Sequence, residues 1–338
     1  MKAVGYKRPL AISDPNSLLD IELPTPVPKG RDLLVEVKAV SVNPVDTKVR
    51  GTAVPFQGDE YRILGYDASG VVKAIGSEAK LFKPGDAVWY AGSITRPGTN
   101  AQFHLVDERV VGAKPKSLDF SRAAAMPLTA ITAWELLFDR LAVPFGTPPG
   151  AGSLLIIGGA GGVGSILTQL ARKLSGLTII STSSTPETIK WCLDLGAHFV
   201  VDHTKPFGPQ LKAIGVPEVN YIAALTASQQ HFPGVIEVLA PQGKIGMIDD
   251  PSTVDVTPLK EKAASFHWEF MFTRSKFHTA DMIEQHNLLM EISRMVDNGI
   301  IRTTFGADMG SINSDNLKKA HTMIETGRTR GKIVLTGF

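Results

Sequence analysis

The stretch LLIIGGAGGVG, residues 154–164, decides the fold of this chain. An apolar run of strand type leads into the G-x-G-x-x-G turn Gly159-Ala160-Gly161-Gly162-Val163-Gly164, and a helical pattern follows at once. We assign Gly159 and Gly161 to the tight turn and to close approach of a pyrophosphate, and Gly164 to contact between helix and strand. The stretch predicts a dinucleotide-binding turn, because a glycine-rich hairpin would not explain the helix.

Apolar strands alternate with helices after this turn, which predicts a doubly wound parallel sheet of Rossmann type, covered on both faces. The predicted helices are Val163 to Leu174, Glu187 to Leu195 and Gln229 to Leu239. The six predicted strands are Leu154 to Ile157, Thr178 to Ser181, Phe199 to Val201, Tyr221 to Ala224, Lys244 to Ile248 and Phe266 to Phe272.

The first third of the chain has short strand patterns separated by turn residues, which predicts a β-rich, partly barrel-like unit. Its clearest strands are Leu33 to Ala39, Gly70 to Ile75 and Ala87 to Tyr90. A chain of 338 residues exceeds the usual size of a single core. We therefore expect a catalytic domain of residues 1–126 and 271–338 and a nucleotide-binding domain of residues 127–270. The C-terminal segment should contribute two helices, Asp281 to Asn298 and Asn316 to Thr326, and a returning strand, Lys332 to Leu335.

Composition excludes several classes of protein. A net charge of +2 provides no basic field for nucleic acid. The single cysteine, Cys192, cannot form an internal disulfide, and we expect it to be buried in a helix. Glycines interrupt the most apolar stretch before it could span a bilayer, and residues 1–20 lack a signal-peptide core. These features favour a cytoplasmic protein that acts on small molecules, with no membrane association.

The end of the second predicted strand indicates the cofactor. Enzymes that use NAD usually place Asp or Glu there, whereas this chain has Ser181-Thr182-Ser183-Ser184-Thr185. Hydroxyl groups such as that of Ser183 can donate to a 2′-phosphate, and Lys190 is the nearest candidate cation. The sequence therefore favours NADPH. Lys190 could equally be a solvated lysine, and Arg172 and Lys173 compete for the same role.

Further motifs resemble the medium-chain dehydrogenase/reductase superfamily, in its quinone oxidoreductase branch. They are VKAVSVNPVDT (37–47), LGYDASGVV (64–72), KPGDAV (83–88) and PLTAITAW (127–134). The later segments IEVLAPQG (236–243) and FHWEFMFTRS (266–275) are similar to the group called zinc-type alcohol dehydrogenase-like proteins. The resemblance implies a GroES-like catalytic domain beside the Rossmann domain. It also implies cofactor contacts from Thr129, Leu225, Ile248 and Lys332.

The resemblance does not extend to the zinc ligands. Zinc-using relatives have a Cys where this chain has Asn43, a His at Tyr66 and a second Cys near Leu128, and the structural zinc loop has no counterpart. The sequence therefore predicts an enzyme without zinc. Such an enzyme lacks the metal that makes an alcohol acidic, whereas a quinone or conjugated enone accepts hydride to give a delocalised anion that needs only hydrogen-bond stabilisation.

The resemblance implies that Asn43, Asp46, Tyr66 and Thr129 lie around the nicotinamide end of a cleft between the domains. Asn43 would orient substrate or nicotinamide, or else cap the turn before Pro44. Tyr66 would donate to the developing oxyanion, or only pack. Asp46 would fix the loop more readily than transfer a proton. Lys48 replaces a tyrosine of many quinone reductases, so the proton donor stays open.

Two other functions remain open at this point. One is a zinc-dependent alcohol dehydrogenase or aldehyde reductase, and the other is an NADPH-binding protein with little turnover. The aromatic strand Phe266 to Phe272 would form one edge of the sheet. Because an exposed edge strand can pair across a twofold axis, we expect a homodimer. The alternative is that Phe266, Trp268 and Phe270 pack on one face and the other residues pack on a covering helix.

Overall fold

A computed structural model describes residues 1–338. The chain divides into two compact units, Met1–Ile131 with Phe272–Phe338, and Thr132–Met271. The boundaries lie close to those expected at residues 126/127 and 270/271. None of the helices combines the length and apolar composition needed to cross a membrane.

The N-terminal part of unit 1 is built mainly of strands, as its turn-rich sequence predicts. Its elements in chain order are β1 (Lys2–Tyr6), β2 (Leu19–Glu22), β3 (Asp32–Val42), α1 (Pro44–Thr52), β4 (Arg62–Ile63), β5 (Ala68–Ile75), β6 (Ala87–Tyr90), β7 (Phe103–Asp107), β8 (Val111–Ala113), α2 (Phe120–Ala124) and α3 (Pro127–Trp134). The three strands predicted in this region are confirmed.

Unit 2 is an alternation of strands and helices. It begins with the last residues of α3, Thr132 to Trp134, and continues with a π-helical segment, Glu135–Arg140. The remaining elements are β9 (Ser153–Ile157), α4 (Gly162–Leu174), β10 (Thr178–Thr182), α5 (Pro186–Asp194), β11 (Phe199–Val201), α6 (Phe207–Ala213), β12 (Val219–Ala224), α7 (Ser228–Val238), β13 (Leu239–Met247) and β14 (Ser265–Trp268). All six strands are parallel, in the order β11-β10-β9-β12-β13-β14. The predicted Rossmann sheet is confirmed.

The structure of unit 2 differs from the sequence-based expectation at two points. The last strand ends at Trp268 and does not reach Phe272. Met271 and Phe272 are buried turn residues beyond the strand, so their apolar character reflects burial and not continued strand pairing. The short helix α6 was not predicted; its Phe207 and Leu211 pack into the sheet core.

The chain then returns to unit 1. The returning elements are α8 (Thr273–Phe277), α9 (Glu284–Asp297), β15 (Phe305–Asp308), α10 (Ser314–Glu325) and β16 (Lys332–Thr336). A seven-stranded sheet has the order β15-β16-β3-β5-β6-β8, with β7 also paired to β3. β16 lies antiparallel to β3 with Ile333 opposite Val42 and Val334 opposite Ser41. This register brings Lys332 to the end of β3, next to Asn43.

Candidate functional site

The glycine turn of unit 2 connects β9 directly to α4, as predicted. Gly158 makes the tight turn, because its φ is +87°, and the sequence analysis did not select it. A Cβ on Gly159 would lie 2.6 Å from Ser181 Cβ, so Gly159 allows close packing on β10 and does not make the turn. A Cβ on Gly164 would lie 2.3 Å from Gly158 O, which confirms that this glycine lets helix and strand touch.

Gly161 differs from its neighbours because the space beside it is open. It is the N-cap of α4, with φ −70° and ψ 176°, and a Cβ there would meet only Gly158 O, at 3.5 Å. The first amides of a helix have no intrahelical acceptor, and they carry a partial positive charge. Open space at such a terminus fits a phosphate group, so these residues suit a dinucleotide pyrophosphate.

Three other predicted cofactor residues lie at the same edge of the parallel sheet. Ser183 follows β10, Leu225 follows β12 and Ile248 follows β13. Leu225 N donates to Ile157 O at 3.3 Å, and Ile248 N donates to Ala224 O at 3.3 Å. The carboxyl edge of a doubly wound sheet is where such folds bind ligands. The fold thus brings these residues to the edge that carries the glycine turn.

The hydroxyl groups after β10 form a compact cluster. Ser183 Oγ donates to Thr188 Oγ1 at 2.5 Å, and Thr185 caps α5 by accepting from Thr188 N. Lys190 lies further along α5, exposed, and its Nζ pairs with Asp194 at 2.6 Å. An exposed pair of this kind contributes about 0–1 kcal/mol, so the lysine can leave it for a stronger anion. The geometry is compatible with both interpretations of Lys190.

A buried polar network occupies unit 1 around Asp67, which is 0% exposed. Its Oδ2 accepts from Ser41 Oγ and Asn43 Nδ2, each at 2.8 Å, and its Oδ1 accepts from Leu128 N at 2.7 Å. Lys332 Nζ lies 3.1 Å from Oδ2. Every one of these partners is a donor, so both carboxylate oxygens of Asp67 act as acceptors.

Lys332 is 3% exposed and uses its ammonium entirely within the protein. Besides Asp67 it donates to Val42 O at 3.0 Å and, in a short contact, to Asn43 Oδ1. Burial lowers the pKa of Lys332, and the Asp67 carboxylate opposes that effect. The ammonium thus lies among three protein acceptors, and the cofactor contact of Lys332 stays a prediction.

Asp46 fixes the loop that precedes β5. Its Oδ2 accepts from Asn43 N at 2.8 Å and its Oδ1 from Gly65 N at 2.9 Å. Burial raises the pKa of Asp46 to about 7, while the Asn43 amide and the nearby Lys332 charge oppose the rise. Gly65 has φ +108°, a left-handed conformation that favours glycine. With both oxygens bonded to backbone amides, the geometry favours loop fixing over proton transfer.

Tyr66 combines burial with an unused hydroxyl. The residue is 1% exposed, its ring packs edge-on to Phe272 at a centroid distance of 5.3 Å, and its hydroxyl has no hydrogen-bond partner. Burial, with the Asp46 charge, raises the pKa of Tyr66, and Arg62 partly opposes the rise. The phenol therefore keeps its proton at neutral pH and can donate it in a hydrogen bond.

The remaining predicted residues take different positions in unit 1. Thr129 is 2% exposed, and its Oγ1 donates to Met126 O at 3.0 Å within the first turn of α3. Lys48 is exposed on α1. The structure thus brings Asn43, Asp46 and Tyr66 into one buried region, and it leaves Lys48 at the surface.

Comparison with known proteins identifies the superfamily to which the chain belongs. Two family models match the chain, the alcohol dehydrogenase GroES-like domain over residues 29–116 and the zinc-binding dehydrogenase over residues 195–335. A zinc-type alcohol dehydrogenase-like protein of Staphylococcus aureus (strain MSSA476) is 39% identical over 337 residues, which cover 99% of both chains. The chain belongs to the medium-chain dehydrogenase/reductase superfamily.

Two further relatives define its neighbourhood in the superfamily. The crystal structure of a putative zinc-dependent alcohol dehydrogenase from Rhizobium etli CFN 42 is 54% identical, with a TM-score of 0.96 over 100% of this chain and 98% of the other. The human quinone oxidoreductase is 30% identical over 239 residues, which cover 70% of each chain. The chain is therefore an oxidoreductase of the medium-chain dehydrogenase/reductase type.

The superfamily includes zinc enzymes, so we tested whether these residues fit the metal. No group of three or more His, Cys, Asp or Glu side chains is placed to hold a metal ion. Asn43 and Tyr66 offer an amide and a protonated phenol, and Leu128 offers a backbone N–H that Asp67 already accepts. An ammonium, that of Lys332, lies among them. This set of donors does not fit zinc.

Sequence reasoning missed two members of the network, Ser41 and Asp67. Both lie inside motifs quoted for the superfamily resemblance, and Asp67 directly follows Tyr66. A buried carboxylate needs partners, so the acidic residue in the apolar setting of LGYDASGVV was a usable signal. The pairing of Asp67 with Lys332 could not be predicted from the sequence, because the two residues are far apart along the chain.

Proposed function

We propose that this chain is an NADPH-dependent reductase that transfers hydride to a quinone or an α,β-unsaturated carbonyl compound without zinc. The polar network of unit 1 carries the proposal, because it offers hydrogen-bond donors and a fixed ammonium in place of metal ligands. The resemblance to the human quinone oxidoreductase supports the same class of acceptor.

The chemistry requires only what these residues can supply. NADPH would give a hydride to the remote carbon of the acceptor and become NADP⁺, leaving an enolate or a hydroquinone anion. A proton then completes the reduction. A delocalised anion is stabilised adequately by hydrogen bonds in a site that excludes water. An unconjugated aldehyde gives a localised alkoxide, which is harder to stabilise without a metal.

Tyr66 is the donor we propose for the developing oxyanion. A buried hydroxyl without a partner costs about 1–3 kcal/mol, so a ligand that accepts from Tyr66 would recover that free energy. The raised pKa of Tyr66 keeps the phenol protonated for this role. Asp46 would hold the Gly65 loop that carries Tyr66, and Asn43 would contact the ligand through its amide.

The preference for NADPH rests on the hydroxyl cluster after β10. Ser183 and its neighbours offer donors without a carboxylate that would repel a 2′-phosphate. Lys190 would exchange its exposed partner Asp194 for the phosphate. We expect Lys190→Ala to raise KM for NADPH much more than KM for NADH, and Lys212→Ala, at an exposed lysine of α6, serves as the control. Equal effects on both cofactors would remove Lys190 from the phosphate site.

The decisive assay follows oxidation of NADPH and NADH by the chelator-dialysed protein, with a small quinone, a conjugated enone and an unconjugated aldehyde offered side by side. Rapid NADPH oxidation with the conjugated acceptors alone is the expected result. Aldehyde activity that returns with added zinc would favour a metal-dependent alcohol dehydrogenase instead. Tight NADPH binding without turnover of any acceptor would favour a cofactor-binding protein with another role.

We also propose that two copies pair through the edge strand β14. Trp268 is 52% exposed and Phe270 is 44% exposed, and Phe266 packs edge-on to Trp268 at a centroid distance of 5.1 Å. Apolar surface on an exposed sheet edge favours association. Sedimentation at micromolar concentration should detect a dimer, and Trp268→Glu should weaken it. A monomeric wild-type protein would refute the pairing.

A further inference from the structure

The buried pair of Lys332 and Asp67 is not explained by stability alone. Both side chains are almost fully enclosed, at 3% and 0% exposure. Removing two charges from water costs free energy that their attraction often fails to recover, and apolar replacements of such pairs are often neutral or stabilising. A pair of this kind can instead serve to select one arrangement of its neighbours. The neighbour that both groups share is Asn43.

The two charges allow only one orientation of the Asn43 amide. Asn43 Oδ1 accepts from the Lys332 ammonium, while Asn43 Nδ2 donates to Asp67 Oδ2 at 2.8 Å. A flipped amide would place its NH₂ group against the ammonium and its oxygen against the carboxylate, and both contacts would be repulsive. Lys332 and Asp67 therefore act together as an orientation lock.

The lock leaves one amide hydrogen of Asn43 available. Nδ2 carries two hydrogens and has a single protein acceptor, Asp67. The backbone on either side is also held, because Asn43 N donates to Asp46 and Lys332 donates to Val42 O. The remaining hydrogen thus has a fixed direction, and an acceptor oxygen on a ligand would satisfy it.

We propose that Lys332 is a positioning residue, whose ammonium, with the Asp67 carboxylate, fixes the Asn43 amide so that its second Nδ2 hydrogen binds a carbonyl oxygen of the ligand. This inference deepens the proposed reductase function and rests on it for the identity of the ligand. Two carbonyl groups have the required chemistry, the nicotinamide carboxamide of the cofactor and the carbonyl of the acceptor.

The variant must remove both charges that orient the Asn43 amide, so that neither Lys332 nor Asp67 is left as an unpaired buried charge. Lys332→Met alone would strand the Asp67 carboxylate, which is expected to harm folding. The double variant Lys332→Met/Asp67→Asn keeps the region neutral, and an asparagine at position 67 can pair with either orientation of Asn43. Lys262→Met is a matched control, because Lys262 also donates to three protein acceptors, the carbonyls of Ile236, Glu237 and Leu239.

The readouts are the melting temperature, the Kd of NADPH, and the Kd of a quinone for the complex with NADP⁺, which cannot transfer hydride. We expect the double variant to fold and to lose about tenfold in one of the two affinities, the size of one hydrogen bond. Weaker NADPH binding would assign the carbonyl to nicotinamide, and weaker quinone binding would assign it to the acceptor. The Lys262 control should change only the melting temperature.

Wild-type affinity for both ligands in the folded double variant would overturn the proposal, because Lys332 would then only balance the charge of Asp67. If the double variant does not fold, ¹⁵N NMR of wild-type lysine ammonium groups is decisive. A slowly exchanging ammonium signal that Lys332→Arg removes is expected, and the lack of any such signal at neutral pH would overturn the lock. Neither binding measurement needs turnover, so a wild-type protein that fails to reduce quinones would contradict the proposed function separately.

Discussion

Two glycines of the turn should respond to alanine in opposite ways. At Gly161 the backbone has φ −70°, and a Cβ would meet only Gly158 O, at the ordinary distance of 3.5 Å. We expect Gly161→Ala to change the free energy of unfolding by no more than about 1 kcal/mol, the difference between glycine and alanine at an N-cap. Its methyl group would nevertheless fill the open space where we place the pyrophosphate.

The expected loss of cofactor affinity follows from the hydrogen bonds that this methyl group displaces. A hydrogen bond to a charged phosphate contributes about 1.5–3 kcal/mol, and about 1.4 kcal/mol corresponds to a tenfold change in Kd. Displacement of one such bond should therefore weaken NADPH binding by about tenfold to a hundredfold. The Kd can be followed by the fluorescence of bound NADPH, with urea unfolding measured on the same samples.

Gly164→Ala is the matched variant. Its Cβ would lie 2.3 Å from Gly158 O and 2.8 Å from Gly159 Cα, and neither backbone atom can move aside easily. Overpacking of this kind costs about 1–3 kcal/mol, so this variant should lose stability as well as affinity. Normal NADPH binding by folded Gly161→Ala would refute the position of the pyrophosphate, and a fully stable Gly164→Ala would refute the contact between α4 and β9.

Three further variants test other parts of the structure. Tyr66→Phe should lower kcat by about 10²–10³-fold without loss of melting temperature, because it removes an unpartnered buried hydroxyl; unchanged kcat would exclude Tyr66 as the donor. Burial, with Glu135 nearby, raises the pKa of Glu269 to about 8. The folded state therefore keeps a proton that the unfolded chain releases above about pH 4.5. Because of this difference, the stability falls as the pH rises towards 8. Glu269→Gln should flatten that fall in melting temperature between about pH 5 and pH 8, and an equal fall would contradict the assignment. His321→Leu should raise stability by about 1 kcal/mol, because both ring nitrogens are buried without partners; urea unfolding that shows a loss would indicate a missing partner.

Local patterns were sufficient to predict the sheet of unit 2 and the position of the turn. The apolar run 154–157 followed by glycines defines β9 and α4 with almost no error. The assignments within the turn were less accurate, because the positive φ falls at Gly158 and Gly159 faces Ser181. The neighbouring strand decides which glycine adopts the positive φ and which one packs closely. The motif alone does not specify that contact.

The unit 1 network was only half predictable. Asn43, Asp46 and Tyr66 were selected from motifs, and the structure brings them into one buried region. Lys332 was selected as a cofactor contact, and its hydrogen bond to Asn43, 289 residues away in the sequence, was not predicted. That contact depends on the antiparallel register of β16 with β3, which sets Ile333 opposite Val42. Periodicity predicts a strand but not its partner or register, so such contacts cannot be read from one sequence.

If the protein works without zinc, as we propose, the network also explains why a single substitution would not build a zinc site here. Asp67 joins the end of β3 through Ser41 and Asn43, the start of α3 through the amide of Leu128, and β16 through Lys332. Introducing a cysteine at Asn43 would remove the hydrogen bonds of the Asn43 side chain with Asp67 and with Lys332, and it would leave the ammonium in place. A metal-binding variant would therefore have to replace the buried ion pair together with the ligands. On the proposed function, the difference from the zinc enzymes of the superfamily would lie in how the charges at this buried junction are balanced.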